Sequence, residues 1–107
     1  MAEIASLSVD ELKAKLDRGD AFLLLDVREP EEFAFANIGG VPIPLGELPS
    51  RLAELDRNTE IVVLCHHGVR SLHAAHFLLG NGFSKLANVR GGIDQWSVRV
   101  DGNLGRY

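Results

Sequence analysis

The chain has 107 residues, the length of a single domain, and 46% of them are hydrophobic, as in ordinary folded proteins. Its 11 basic and 15 acidic side chains give a formal net charge of −4, which argues against a nucleic-acid-binding protein. Because no apolar run approaches the ~20 residues of a membrane span, and because Met1–Ile4 lacks the basic start of a signal peptide, we expect a cytoplasmic protein without membrane or nucleic-acid partners.

Short apolar runs alternate with amphipathic segments along the chain. Ser8 and Glu11 have the spacing of a capping box that begins a helix, and Gly19 is placed to end it. Pro30 and the acidic residues after it begin a second helix, which we expect the pair Gly39-Gly40 to stop. In chain order, the predicted elements are a helix after Ser8, a strand over residues 21–27, a helix from Pro30, an extended segment over 41–44, a helix over 48–55, a strand over 61–64, a helix over 71–79, a strand over 86–89 and a helix from 93 to about 100.

Both long apolar runs, residues 21–27 and 61–64, lack the alternation of polar and apolar residues, which is typical of strands buried on both faces. Strands of this kind that alternate with helices predict an α/β fold in three layers, with a central, mostly parallel sheet and helices on both faces. We expect the tail, residues 102–107, to be only loosely held.

The chain has one cysteine, Cys65, which directly follows the strand predicted over residues 61–64. Ligands of parallel α/β sheets bind beyond the carboxyl ends of the strands, so this position is typical of an active site. The loop amides and the start of the next helix can surround an anion and favour a thiolate. The alternative is a buried structural cysteine, but such a residue has no need of the polar loop that follows Cys65. Arg70 adds positive charge, as do the loop histidines when protonated. The residues that we expect to bind substrate around Cys65 are His66, His67, Gly68, Val69, Arg70 and Ser71.

Residues 65–71, Cys-His-His-Gly-Val-Arg-Ser, closely resemble the active-site loop of single-domain rhodaneses, the thiosulfate sulfurtransferase family. Three more segments resemble family signatures in the same order, namely residues 26–33, residues 37–45 and the Gly-Gly-Ile-Asp-Gln-Trp segment at 91–96. The resemblance covers nearly the whole chain and implies one rhodanese-like domain over residues 1–107. The chain departs from the family at Asn37, where a histidine is usual, and we assign no role to that residue.

The resemblance implies catalysis through a persulfide on Cys65, without a cofactor. The thiolate attacks the outer sulfur of thiosulfate or of a persulfide donor, and a thiol or cyanide then accepts the sulfur. Since Cys65 is the only cysteine, the acceptor must come from outside the chain, and a sulfur-carrier or thioredoxin-like protein is one such partner. The resemblance also makes Asp26 and Arg28 framework residues near the site, joined in a salt-bridge network.

Three alternatives compete with this function. Phosphatases and arsenate reductases of the same fold have a loop of five residues between cysteine and arginine, whereas only four residues separate Cys65 from Arg70. A non-catalytic or sulfur-relay interaction module, serving cofactor or tRNA thiolation, is the second alternative, although inactive members of such folds often lack the nucleophile that this chain has. Four histidines invite a metal site, but their spacing favours loop donors and helix-surface residues, so we predict none. These histidines are His66, His67, His73 and His76.

Overall fold

The structure is a computed structural model that describes residues 3–107. Within that range, five strands alternate with four α-helices and one 3₁₀-helical segment. The strands are β1 (Ile4–Leu7), β2 (Leu23–Asp26), β3 (Val41–Pro42), β4 (Ile61–Leu64) and β5 (Leu86–Val89). The helices are α1 (Val9–Arg18), α2 (Pro30–Phe35), α3 (Val69–Gly80) and α4 (Gly92–Arg99), and the 3₁₀ segment is Leu45–Glu54. The strands form one parallel sheet in the order β1-β5-β4-β2-β3, which confirms the predicted α/β class.

The side chains of the central strand β4 alternate between two hydrophobic cores, one on each face of the sheet. Ile61 and Val63 pack with α3 and the 3₁₀ segment on one face, whereas Val62 and Leu64 pack with α1 and α4 on the other. All four side chains are fully buried, which explains why the run contains no polar residue. Helices therefore cover both faces of the sheet, as the three-layer prediction requires. None of the helices in the described range is long and apolar enough to cross a membrane.

The starts of the first two helices and the bounds of β4 and β5 agree with the sequence prediction, whereas other boundaries differ. Ser8 Oγ accepts the N–H of Glu11, and Glu11 Oε1 accepts the N–H of Ser8, so the predicted capping box begins α1. Helix α2 begins at Pro30 as predicted, but it ends before the glycine pair that was expected to stop it. The α-helix predicted over residues 48–55 is wrong, because Pro49 removes a backbone donor there and the segment is a 3₁₀ helix.

Strand β1 is absent from the sequence prediction. It lies at an edge of the sheet, where it pairs with β5 from Ile4 opposite Leu86 to Leu7 opposite Val89. Its two inner residues are exposed and its two outer ones only partly buried, so it lacks the apolar run that marks the inner strands.

Three neighbouring strands end at the same edge of the sheet and bring distant residues together. Asp26, the last residue of β2, is in register with Leu64, the last residue of β4, and Val63 is in register with Asn88 of β5. Cys65 follows β4 directly. The predicted nucleophile therefore lies at the carboxyl ends of parallel strands, where ligands of such sheets bind.

Candidate active site

The sulfur of Cys65 is enclosed by the loop that follows β4, residues 65–70, here called the active-site loop. The side chain is only 1% exposed, and its Sγ accepts the N–H of Gly68 at 3.0 Å. Gly68 has a φ of +105°, a backbone conformation that favours glycine, and it is also the residue that caps the start of α3. The N-terminus of α3 thus lies beside the sulfur, where the positive end of the helix dipole stabilises an anion.

Two buried polar side chains connect the sulfur to the sheet. Ser71 Oγ lies 3.2 Å from Cys65 Sγ and accepts the thiol proton, while the Ser71 hydroxyl donates to Oδ1 of Asn88 on β5. Nδ2 of Asn88 donates at 3.2 Å to the carbonyl of Gly68, the residue whose N–H reaches the sulfur. The hydroxyl has a single hydrogen, so it must turn away from Asn88 to donate to an ionised sulfur. Ser71 lies where a binding residue was predicted, and Asn88 is a site residue that the sequence analysis missed.

The N-terminus of α4 holds the outer side of the active-site loop. The N–H of Ile93 donates to the carbonyl of Cys65 at 2.9 Å, and that of Asp94 donates to the carbonyl of His66 at 3.1 Å. A trans peptide directs its C=O and N–H to opposite sides. The backbone N–H groups of His66 and His67, which share peptide bonds with these two carbonyls, therefore point away from α4. Gly92 lies directly against the loop, since a Cβ on it would stand 2.5 Å from the carbonyl oxygen of His66. This close approach accounts for the second glycine of the Gly-Gly segment.

Arg70 ends the active-site loop, and its guanidinium is paired with Glu32 of α2. Its Nη1 and Nη2 donate to the two carboxylate oxygens at 2.7 and 2.9 Å. Glu32 also accepts the Tyr107 hydroxyl at 2.7 Å and the N–H of Glu29 at 2.9 Å. These donors, Arg70 foremost, lower the pKa of Glu32 to about 2, so this carboxylate is negative at neutral pH. The sequence analysis treated Glu32 only as a helix-initiating acid, and the substrate-binding role of Arg70 stays a prediction.

Asp26 and Arg28 form a buried ion pair at the end of β2. Nε and Nη2 of the guanidinium donate to the carboxylate, the latter at 2.8 Å. The other guanidinium hydrogens reach the carbonyls of Glu32 and Ala36 and the hydroxyl of Tyr107. Every N–H of this buried cation thus has an acceptor. The pair ties β2 to α2 and to the tail, which is the kind of framework position that the resemblance implied.

The end of the chain lies against the active-site loop, so the expectation of a loose tail is wrong for Tyr107. Its ring stacks on the imidazole of His66, with the ring centroids 3.9 Å apart and the planes 14° apart, and its hydroxyl bonds to Arg28 and Glu32. The pKa of His66 is lowered, mainly by burial of the imidazole and to a lesser extent by electrostatic repulsion from His67. This shift disfavours the protonated imidazole, and it weakens the positive charge that the sequence analysis allowed for His66. Its buried Nε2 has no hydrogen-bond partner among the described residues.

The other predicted residues and histidines lie at the surface. Val69 is 64% exposed at the first turn of α3, and His67 is exposed as well. His73 and His76 occupy exposed positions on α3. Between residues 3 and 107, no group of three or more histidine, cysteine, aspartate or glutamate side chains has the arrangement of a metal site.

Comparison with known proteins finds one type of domain across most of the chain. The family model of the rhodanese-like domain matches residues 8–99. "Putative sulfur carrier protein YrkF" of Bacillus subtilis is 41% identical over 101 residues, which are 94% of this chain but 55% of that protein's length. A protein named sulfurtransferase from Allochromatium vinosum is 30% identical over 95 residues, which are 88% of this chain and 89% of that protein. The crystal structure of a rhodanese-like domain protein from Staphylococcus aureus matches with a TM-score of 0.83 and 32% identity, and the match covers 97% of this chain and 99% of that one.

Proposed function

The chain belongs to the rhodanese-like domain family, and from this premise we propose that it is a sulfurtransferase. In the proposed reaction, Cys65 carries a sulfur atom from thiosulfate or a persulfide donor to a thiol or to cyanide. The observation that carries the proposal is the position of Cys65 Sγ, which is buried beyond the carboxyl end of β4 and lies 3.0 Å from the amide nitrogen of Gly68 at the start of α3. A helix N-terminus stabilises a sulfur nucleophile that is an anion before and after each reaction cycle, whereas a structural cysteine gains nothing from it.

The proposed reaction has two steps, and each begins with an attack on a sulfur atom. In the first step, the Cys65 thiolate attacks the outer sulfur of the donor, the S–S bond of the donor breaks, and sulfite or a thiolate leaves with the bonding electrons. In the second step, an acceptor thiolate or cyanide attacks the outer sulfur of the Cys65 persulfide, and the Cys65 thiolate is restored. The Gly68 amide, together with the Ser71 hydroxyl once it turns toward the sulfur, stabilises the thiolate that begins and ends the cycle.

The acceptor comes from another molecule, because Cys65 is the only cysteine of the chain and no second thiol can resolve the persulfide. Thiol acceptors are abundant in the reducing cytoplasm, where we place the protein. The relative whose name refers to a sulfur carrier supports a protein acceptor, and we propose a sulfur-carrier or thioredoxin-like protein as that partner. The cycle as written uses no cofactor.

A second candidate function is a relay that passes sulfur between proteins instead of turning over small molecules. The similarity to a protein named putative sulfur carrier favours it, and Val69, which directly follows Gly68 in the active-site loop, is 64% exposed. A relay predicts fast transfer from a preloaded Cys65 persulfide to a thioredoxin-like protein and slow transfer to cyanide. An enzyme that uses small acceptors predicts the reverse order of rates.

Intact mass spectrometry tests the persulfide directly. Incubation with thiosulfate is expected to add one sulfur atom, about 32 Da, and cyanide is expected to remove it. Cys65→Ser is the control, because a hydroxyl is close in size to a thiol but is not ionised at neutral pH. We expect this variant to keep its fold, gain no sulfur and transfer none to cyanide. Sulfur transfer by the variant at a substantial fraction of the normal rate would contradict the role assigned to Cys65.

A further inference from the structure

One ion pair limits the positive charge that the active-site loop offers to a sulfur donor. Arg70 is the only arginine of the loop, and both carboxylate oxygens of Glu32 accept from its guanidinium. The Arg70 side chain is 35% exposed, whereas the Glu32 side chain is 18% exposed. The charge of Arg70 is therefore compensated within the protein before any donor binds, although part of its side chain remains exposed.

Glu32 is held in this position by groups other than Arg70. Its Oε1 accepts the N–H of Glu29, which closes the capping box of α2, and its Oε2 accepts the hydroxyl of Tyr107. Displacing the carboxylate would break both contacts, so a donor that binds Arg70 meets Glu32 still in place. Since the pKa of Glu32 is about 2, the carboxylate is fully negative at neutral pH.

We propose that Glu32 sets the class of sulfur donor, by disfavouring dianionic thiosulfate relative to donors with one negative charge, such as thiosulfonates and persulfides. The inference rests on the proposed sulfurtransferase function. Each negative charge of a donor is attracted by Arg70 and repelled by Glu32, so a second charge adds little to the affinity. Removing the Glu32 charge should therefore favour thiosulfate most.

Thiosulfate and an aryl thiosulfonate react by the same step, so they differ mainly in charge. In both, the Cys65 thiolate bonds to the outer sulfur, the S–S bond of the donor breaks, and the leaving group takes the electron pair. Thiosulfate releases sulfite with two negative charges, and the thiosulfonate releases a sulfinate with one, while the new persulfide keeps the charge of the thiolate. No proton, oxidant or reductant is needed.

The test compares thiosulfate with benzenethiosulfonate, each with cyanide as the acceptor. The measured quantity is the ratio of kcat/KM for thiosulfate to kcat/KM for benzenethiosulfonate. Glu32→Gln keeps an acceptor for the helix cap but removes the charge, and we expect this ratio to rise about three- to tenfold. Glu31→Gln is the matched control, because it removes an exposed charge from the same helix and should leave the ratio unchanged.

Two further variants separate charge from geometry. Glu32→Asp keeps the charge and should leave the ratio close to that of the unchanged protein, and a rise equal to that of Glu32→Gln would overturn the proposal. Arg70→Gln leaves the Glu32 charge uncompensated, so the ratio of kcat/KM values should fall. This variant provides a second test if thermal melting shows that Glu32→Gln is unfolded. An unchanged ratio in Glu32→Gln, with both donors active, refutes this inference alone. A protein that gains sulfur from neither donor refutes the proposed function itself.

Discussion

Substituting Gly92 by alanine tests whether the N-terminus of α4 shapes the active-site loop. A Cβ at this position would lie 2.5 Å from the carbonyl oxygen of His66, 2.6 Å from its carbonyl carbon, and nearer still to the carbonyl oxygen of Cys65. Real Cβ atoms essentially never come closer than 3.0 Å to such atoms, so the loop or α4 must retreat by at least ~0.5 Å. The atoms in the way belong to the backbone, so no side-chain rotation can relieve the contact.

A displacement of this size reaches the nucleophile. The carbonyl of Cys65 accepts from α4 at 2.9 Å, and Cys65 Sγ accepts the amide of Gly68 at 3.0 Å, so the shift disturbs both ends of the same short loop. Since misplacing reacting groups by about 1 Å costs on the order of 100-fold in rate, we expect kcat/KM of Gly92→Ala to fall about 10- to 100-fold.

Gly91→Ala is the matched control for this experiment. Gly91 and Gly92 both have a positive φ, +77° and +58°, so each substitution adds left-handed strain of about 1–2 kcal/mol. The three nearest atoms to a Cβ at Gly91 belong to the side chain of Gln95; its Cγ and Cδ can rotate away, and its Cβ, at 2.9 Å, needs a shift of only about 0.1 Å. We therefore expect similar losses of melting temperature in the two variants but nearly normal kcat/KM in Gly91→Ala. Equal activity losses in the two variants, or a Gly92→Ala protein with unchanged kcat/KM, would refute the reasoning.

Two further predictions concern the ionic framework behind the site. Asp26→Ala leaves the buried guanidinium of Arg28 without its carboxylate. We expect urea denaturation to show a loss of about 3–5 kcal/mol in the free energy of unfolding, and a loss below ~1 kcal/mol would contradict a structural role for the pair. The pKa of Glu32 is lowered from 4.5 to about 2 on folding, so its ionisation stabilises the fold above pH 4.5, and that stabilisation is lost as the pH falls towards 2. The unfolding free energies of the unchanged protein and of Glu32→Gln should converge over this interval, and a constant difference down to pH 2 would show that the ion pair does not contribute in this way.

The position of the nucleophile can be predicted from sequence because its signals are local. The apolar run of β4, the cysteine that ends it and the polar loop that follows lie within ten consecutive residues. The side chains that complete the site come from distant parts of the chain and leave no periodic pattern. The separations in sequence are 38 residues for Glu32 and Arg70, 17 for Ser71 and Asn88, and 79 for Arg28 and Tyr107.

For some residues, the neighbouring sequence indicates one role and gives no sign of a second role in the folded protein. Glu32 fits the capping box of α2, so its sequence context gives no reason to expect a contact with the active-site loop. Gly92 is part of a segment that resembles a family signature, but the need for glycine arises from packing against the carbonyls of Cys65 and His66. Contacts of this kind follow from the way that α4 packs against the loop, and residue spacing alone does not report them.

A growing polypeptide produces β1 first and its partner β5 much later. Strands β2 and β4 can pair before β5 has been made, whereas Ile4 of β1 can pair only after Leu86 has been made. Long-range contacts such as the pairing of β1 with β5 form slowly because they close long loops. Helix α4 is made after β5, and its first amides hold the carbonyl groups of Cys65 and His66. A nascent chain on the ribosome therefore carries its only thiol in an unformed loop. The enclosure of Cys65 is in this way completed only after α4 has been made and its first amides have bonded to the loop.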